Sequence, residues 1–160
     1  MRSTWTAFFL ASAFAVAPLA AQATVRITVD LSSQVMSVES SSGSYSFPIS
    51  SAREGYVTPV GNYTVQSLEL MHRSKKYHNS PMPHSIFFYY GFAIHGTYDI
   101  ANLGRPASHG CVRISPANAA TLYALVQKEG GTVEIKGQAP GSRSGGNNSG
   151  EPGFWSIFSH

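Results

Sequence analysis

Apolar and polar residues alternate early in the chain. Val25, Ile27, Val29 and Leu31 fall on one side of residues 24–31, and Arg26, Thr28 and Asp30 on the other. A period of two marks a half-buried strand. Residues 34–39 repeat the pattern, with Met36 and Val38 in phase and Val35 out of phase, and residues 45–49 give a third short strand. Ser32-Ser33 and residues 40–44, with Gly43, supply the turns, so the opening reads as an antiparallel meander. Thr58-Pro59-Val60-Gly61 is a turn signal, followed by a strand over residues 62–68. Residues 69–83 carry histidines, two prolines and the basic group Arg73, Lys75 and Lys76. They read as a long loop, of a kind that often covers a site.

Residues 85–90 and 92–95, broken by Gly91, form the most hydrophobic hairpin and are expected at the centre. Residues 98–107 connect this hairpin to a turn and short strand over 108–114. Ser115-Pro116 then starts a helix, serine as N-cap and proline at the first helical position. Ala119, Leu122, Tyr123 and Val126 share one face of it, Gly130-Gly131 ends it, and residues 132–135 make the last strand. The fold class that follows is mainly β: a single β-rich domain with one helix after Cys111.

The two ends differ from this middle. Arg2, the apolar run of residues 7–17 interrupted only by Ser12, then Pro18 and Ala21-Gln22-Ala23 have the layout of a cleaved signal peptide over residues 1–23. The run is shorter than the ~20 residues a membrane span needs. The expectation is an exported protein of the periplasm or cell envelope, with its domain over residues 24–136. From Gly137 to His160 the chain is rich in Gly, Ser and Asn, reads as a flexible tail, and ends in the apolar Phe154-Trp155-Ser156-Ile157-Phe158. The formal net charge of +3 includes Arg2. No aromatic–basic pattern points to nucleic acid, while a weak positive field suits a carboxylate-rich substrate.

Cys111 is the single cysteine, so no intrachain disulfide is possible. A lone thiol in an exported protein is a linker or a reactive group. A free thiol is mostly protonated at neutral pH and needs a partner to remove its proton; histidine is the usual one. Two histidines stand near. His109 lies two residues before Cys111, where a short tether gives poor geometry. His95 can meet the thiol across adjacent strands and is the preferred base, its second ring nitrogen held by a carbonyl such as that of Gly96. Gly96 and Gly110 let the backbone approach a substrate or take positive φ, and Gly110-Cys111 can turn N–H groups toward an oxyanion. Ser108 can brace that turn. Arg113 can grip a substrate carboxylate, or sit in a surface ion pair. Thr97 and Tyr89 complete the candidate substrate contacts. Two other readings are weighed. Cys111 beside Val112 and Ile114 can be a buried small hydrophobe. His95, His109 and Cys111 can be zinc ligands, but their spacing lacks the second close pair of a zinc site, so no metal and no cofactor is expected.

Ile94-His95-Gly96-Thr97, Leu103-Gly104-Arg105-Pro106 and Ser108-His109-Gly110-Cys111-Val112-Arg113 together resemble the signature of the L,D-transpeptidase (YkuD-type) catalytic domain. Residues 29–34, the Gly55-Tyr56-Val57-Thr58-Pro59-Val60-Gly61-Asn62-Tyr63 block, Ser80-Pro81-Met82-Pro83 and Phe87-Phe88 extend the likeness over roughly residues 25–136. The resemblance implies a β-rich domain and a cysteine acyl transferase acting on peptidoglycan stem peptides. Cys111 would be the nucleophile, His95 the proton acceptor and donor, and the Gly96 carbonyl its orienter. Ser108, His109 and Gly110 would shape the oxyanion turn. In the family the thiolate attacks the third stem residue, D-Ala leaves, and an amine of another stem, or of a wall-attached protein, resolves the thioester. Water as acceptor would make the same site an L,D-carboxypeptidase; an idle thiol would leave a wall-binding protein. Many members carry Asn where Arg113 stands, and a longer connection after the histidine, which bears on substrate preference.

Overall fold

The structure, a computed structural model, describes residues 24–141. The expected leader (1–23) and the apolar end (154–158) lie outside the described residues. Nine strands and one helix follow in the order β1 (Val25–Asp30), β2 (Val35–Ser40), β3 (Gly43–Pro48), β4 (Gly61–Thr64), β5 (Ser67–Ser74), β6 (Ser80–Tyr89), β7 (Phe92–Gly96), β8 (Val112–Ile114), α1 (Pro116–Glu129) and β9 (Gly131–Lys136). They form two sheets, β3-β2-β1-β9-β4 and β5-β6-β7-β8. The inward residues of the first (Val25, Ile27, Val29, Met36, Val38, Val133 and Ile135) pack against Ile86, Phe88, Ile94, Val112 and Ile114 of the second and against Leu122 and Val126 of α1. Alternation in the sequence thus becomes one core between two sheets, and the fold is mainly β with its helix after Cys111.

The meander β1-β2-β3 is antiparallel, as its short turns require. β1 also pairs with β9, in parallel, from Val25↔Gly131 to Asp30↔Lys136, with α1 in the return path. The helix starts where expected: Ser115 Oγ accepts the Asn118 N–H at 3.2 Å, Pro116 follows the cap, and Gly130 at φ 70° closes the last turn. Its buried face is Ala119, Leu122, Leu125 and Val126. Tyr123, placed on that stripe by the sequence, is half-buried with its ring edge against His84 at 5.5 Å. Beyond β9, Gln138 N–H donates to Ser32 Oγ at 3.1 Å and Ala139 packs on the core.

Two expectations need correction. Residues 62–68 are not one strand. The chain changes sheets between consecutive residues: Val65 N–H bonds to Gly131 O of the first sheet and Gln66 N–H to Phe87 O of the second, at 3.0 and 2.8 Å. Residues 69–83 are not a loop either. They form most of the β5–β6 hairpin, paired from Ser67↔Phe87 to Ser74↔Ser80. The pattern hid it because β5 is an edge strand with most of its residues exposed. Pro81 and Pro83 are tolerated because β7 pairs β6 only from Ile86 onward, so their part of β6 has one unpaired side.

The hairpin changes faces partway. His84 sits at φ 53°, and the pairing skips the Leu70–His84 position. Residues of equal parity on either side then point to opposite faces: Ile86 and Phe88 enter the main core, whereas Met82 joins Phe87, Ala93 and Cys111 in a second cluster. The kink aims the outer half of the hairpin at the cysteine.

Gln34 ties the first sheet to the segment that frames that cysteine. Its buried side chain donates to Leu31 O and Ser51 Oγ (2.7 and 2.6 Å) and accepts the Ser51 N–H (2.9 Å). Ser51 O in turn accepts from Ala107 and Ser108 N–H at 2.9 and 2.8 Å. Gln34→Leu is expected to strand the Ser51 N–H and the Leu31 carbonyl at a cost of about 3 kcal/mol. Urea unfolding monitored by tryptophan-independent circular dichroism checks this; an unchanged midpoint would contradict it.

Candidate active site

β7 and β8 run parallel with Ile94↔Val112, His95↔Arg113 and Gly96↔Ile114 in register. Strand alternation therefore sends Ile94 and Val112 into the core and puts His95, Arg113 and, just before β8, Cys111 on the other face. His95 is buried. Its Nδ1 lies 2.8 Å from Gly96 O. A carbonyl only accepts, so Nδ1 carries the proton and Nε2 presents its lone pair. Cys111 is partly buried among Met82, Phe87 and Ala93. Its thiol donates a long contact to Gly91 O, 3.9 Å, rather than a bond to His95.

Burial dominates the electrostatics of both groups. It pushes His95 down to about 4, only partly offset by the Gly96 bond, with the positive charge of Arg113 and then His72 lowering it further. Burial also pushes the Cys111 thiol up, against a backbone hydrogen bond at Ala93 and the nearby Arg113 charge. At neutral pH the resting pair is imidazole and thiol, not an ion pair.

The turn before Cys111 is closed by its own residues. Ser108 Oγ donates to Cys111 O at 2.6 Å and accepts the Gly110 N–H at 3.0 Å. Thr58 Oγ1 donates to Gly110 O at 2.8 Å. Gly110 has φ 136°, and a Cβ there would lie 2.6 Å from the Phe92 ring, so glycine is required. The expected brace by Ser108 is present, but it occupies the Gly110 N–H; the Cys111 N–H is the candidate oxyanion donor at this turn. Gly96 is required for a different reason from the one expected. Its φ is not positive; a Cβ would meet Pro83 Cγ at 3.0 Å, Pro116 Cα at 3.2 Å and Ala119 Cβ at 3.3 Å, where the start of α1 packs on β7.

His109 stands apart from the thiol chemistry. It stacks on Tyr77 (4.2 Å between centroids, 15°), meets Tyr56 edge-on (4.6 Å), and its Nε2 lies 2.7 Å from Arg53 Nη2. Guanidinium only donates, so this nitrogen accepts and the ring is neutral. Burial, then Arg53, Arg113 and Lys76, lower its affinity for a proton. With that lone pair taken, His95 rather than His109 offers one beside the cysteine. Arg113 lies on the cysteine face with a loose contact to Asp99 (3.9 Å), the ion pair that was the second of its two readings. Thr97 is buried; its N–H donates to Ile114 O at 2.8 Å and its Oγ1 accepts the Asp99 N–H at 3.2 Å, which shapes the loop that holds Asp99. Tyr89 does not join the group: it packs toward the main core with Tyr63 and Phe92 at 5.0 and 6.3 Å. Arg53, Thr58 and Tyr77 were not singled out from sequence. Thr58 sat in a block read as a turn, Tyr77 in a supposed loop, and nothing local links Arg53 to His109. Among the described residues no three His, Cys, Asp or Glu side chains cluster as metal ligands.

Residues 24–135 match the family model described as the YkuD L,D-transpeptidase catalytic domain. Among solved structures, an L,D-transpeptidase from Stackebrandtia nassauensis is 29% identical, with 76% of this chain and 59% of that one covered and a TM-score of 0.66. An L,D-transpeptidase from Mycobacterium smegmatis is 21% identical over 72% of this chain and 59% of its own, TM-score 0.65. L,D-transpeptidase 3 from Mycobacterium tuberculosis, seen with a faropenem-derived adduct, is 21% identical over 72% and 61%, TM-score 0.63. The chain thus spans about three-fifths of the length of these structures. A search of the curated proteins finds no match.

A buried histidine held near 4 makes stability depend on pH. The unfolded chain binds this proton below about 6.5 and the folded chain only below about 4, so stability falls as pH drops through that window. The gap corresponds to about 3 kcal/mol at full development. His95→Gln is expected to flatten the loss between pH 6.5 and 4 in urea unfolding series; an identical pH slope in both proteins would refute it.

Proposed function

We propose that this chain, which belongs to the L,D-transpeptidase catalytic domain family, is a cysteine acyl transferase acting on peptidoglycan stem peptides outside the cytoplasm. The observation that carries the reading is the shared face of His95 and Cys111, with the Gly96 carbonyl leaving His95 Nε2 as a free base.

His95 Nε2 takes the thiol proton, and the Cys111 sulfur attacks the carbonyl carbon of the third residue of a tetrapeptide stem. Charge develops on the carbonyl oxygen as the C–S bond forms. The Cys111 N–H, fixed by the Ser108 brace, is placed to receive it; one such donor supplies about 3 kcal/mol. Collapse breaks the C–N bond, His95 returns its proton to the departing D-Ala amine, and a thioester remains. An amine of a second stem, or of a wall protein, then attacks; His95 carries a proton back to the sulfur as the new amide forms. In the free enzyme, transfer from thiol to imidazole is uphill because burial opposes both charges. Arg113 favours the thiolate. It also offers a fork for a substrate carboxylate.

The mature chain, expressed in a host stripped of its own L,D-transpeptidases, is expected to yield 3→3 muropeptide dimers that Cys111→Ala does not. Tripeptide without dimer would assign the hydrolytic reaction; identical profiles from both proteins would remove the transferase reading. A carbapenem is expected to add its mass to the wild-type protein and not to Cys111→Ala. An unmodified wild-type mass after prolonged incubation would count against the nucleophile.

A further inference from the structure

The cysteine face continues past His95 onto the β5–β6 hairpin, where a second histidine is oriented in the same way. His72 Nδ1 lies 2.7 Å from Glu69 Oε2. A carboxylate only accepts, so Nδ1 carries a proton, and in the neutral ring Nε2 offers the lone pair. The Glu69 and His72 side chains are 49% and 31% exposed, open enough to meet a ligand. Phe87 links them to the thiol. The His72 ring stands edge-on to Phe87 at 5.1 Å, and Phe87 packs with Ala93 and Cys111. Glu69 pairs with Ser85 and Ser67 with Phe87, so both strands present this row beside β7. The charge on the face is divided. Arg113 and Arg53 lie toward the cysteine turn, and Glu69 supplies negative charge on the hairpin flank.

We propose that the Glu69–His72 pair is the acceptor subsite of the transfer: Glu69 holds the cationic amine of the second substrate, and His72 Nε2 removes its first proton. The proposal rests on the transferase reading above. Proton balance gives such a group its task. An ammonium acceptor that becomes an amide loses two protons, while the sulfur leaving the thioester takes one. His95 moves one of them from the attacking nitrogen to the sulfur. The other must leave the site, and it must leave first, because an ammonium has no lone pair to attack with. His72 accepts it, Glu69 stabilises the imidazolium formed, and the exposed edge of the ring passes the proton to water. Of the charged and titratable groups, Glu69 touches His72, Arg73 follows it on the same strand, and His95 on β7 is close enough to feel its charge. Arg73 is directed to Asn79 O at 3.3 Å.

Thioester formation and its breakdown separate the possibilities. In Glu69→Gln and His72→Gln, acylation by a tetrapeptide stem is expected within about twofold of wild type. Aminolysis by a diaminopimelate-containing tripeptide falls by roughly tenfold or more, so the thioester is diverted to water. An acceptor amine of low basicity, already neutral at the working pH, restores aminolysis in His72→Gln; a merely structural role would give no such rescue. Independently of turnover, titrating the Cys111→Ala protein with the same tripeptide should shift the His72 ring resonances, and Glu69→Gln should abolish the shift. Equal loss of acylation and aminolysis, an unchanged partition, or no His72 shift would overturn the proposal. A wild-type protein that forms no thioester but shows the His72 shift would defeat the transferase reading while leaving the amine site standing.

Discussion

Parallel pairing of β7 with β8 is the constraint on which the rest depends. In a strand, one residue of slip exchanges the two faces. A slipped β8 would send Cys111 into the core and bring Val112 out toward His95. The register is pinned on both sides. Thr97 N–H reaches Ile114 O beyond the last strand pair, and Ser50 and Arg113 exchange two backbone bonds, each at 2.9 Å. The absence of a side chain at Gly96 lets α1 start directly against β7, which fixes the end of the strand that bears His95. Chemistry that needs two side chains on one face is thus delegated to backbone hydrogen bonds among their neighbours.

Burial around the pair works against charge, and this shapes what the resting site can do. Neither the imidazole nor the thiol is ionised when both are free of substrate. A protonated thiol is also a poor target for oxidants. His109 shows how the same turn avoids a second base. Its lone pair goes to Arg53, and its ring is clamped between Tyr77 and Tyr56, which makes it part of the scaffold.

Much of this was legible in the chain, and what was not has a physical reason. Alternation from Val25 to Leu31 located the first strand, Ser115-Pro116 the helix start, and the tether argument separated His95 from His109. The Gly96 carbonyl was foreseeable because the one carboxylate near His95 in sequence, Asp99, falls in a connection. The β5–β6 hairpin was hidden since periodicity reports burial, and an exposed edge strand buries little. The change of sheet at Val65–Gln66 leaves no local trace: both residues are extended, and the partners that separate them, Gly131 and Phe87, lie far along the chain. Arg53 is invisible for the same reason, as its partner His109 is reached only through the fold.

The parallel pairing of β1 with β9 has a bearing on how the protein comes to be assembled. β9 lies between β1 and β4 in its sheet, so neither has that neighbour until the last of the described strands is in place. Contacts of such sequence separation are made late and slowly. A chain emerging from its N-terminal end can form the meander early, but β4 stays without its only partner, and the adjoining β5 is tied to β4 through Val65 and Gln66. The two-sheet frame therefore closes as a final event, once residue 136 is available to pair. Until then the sheet that carries the thiol packs against a frame that lacks one of its strands.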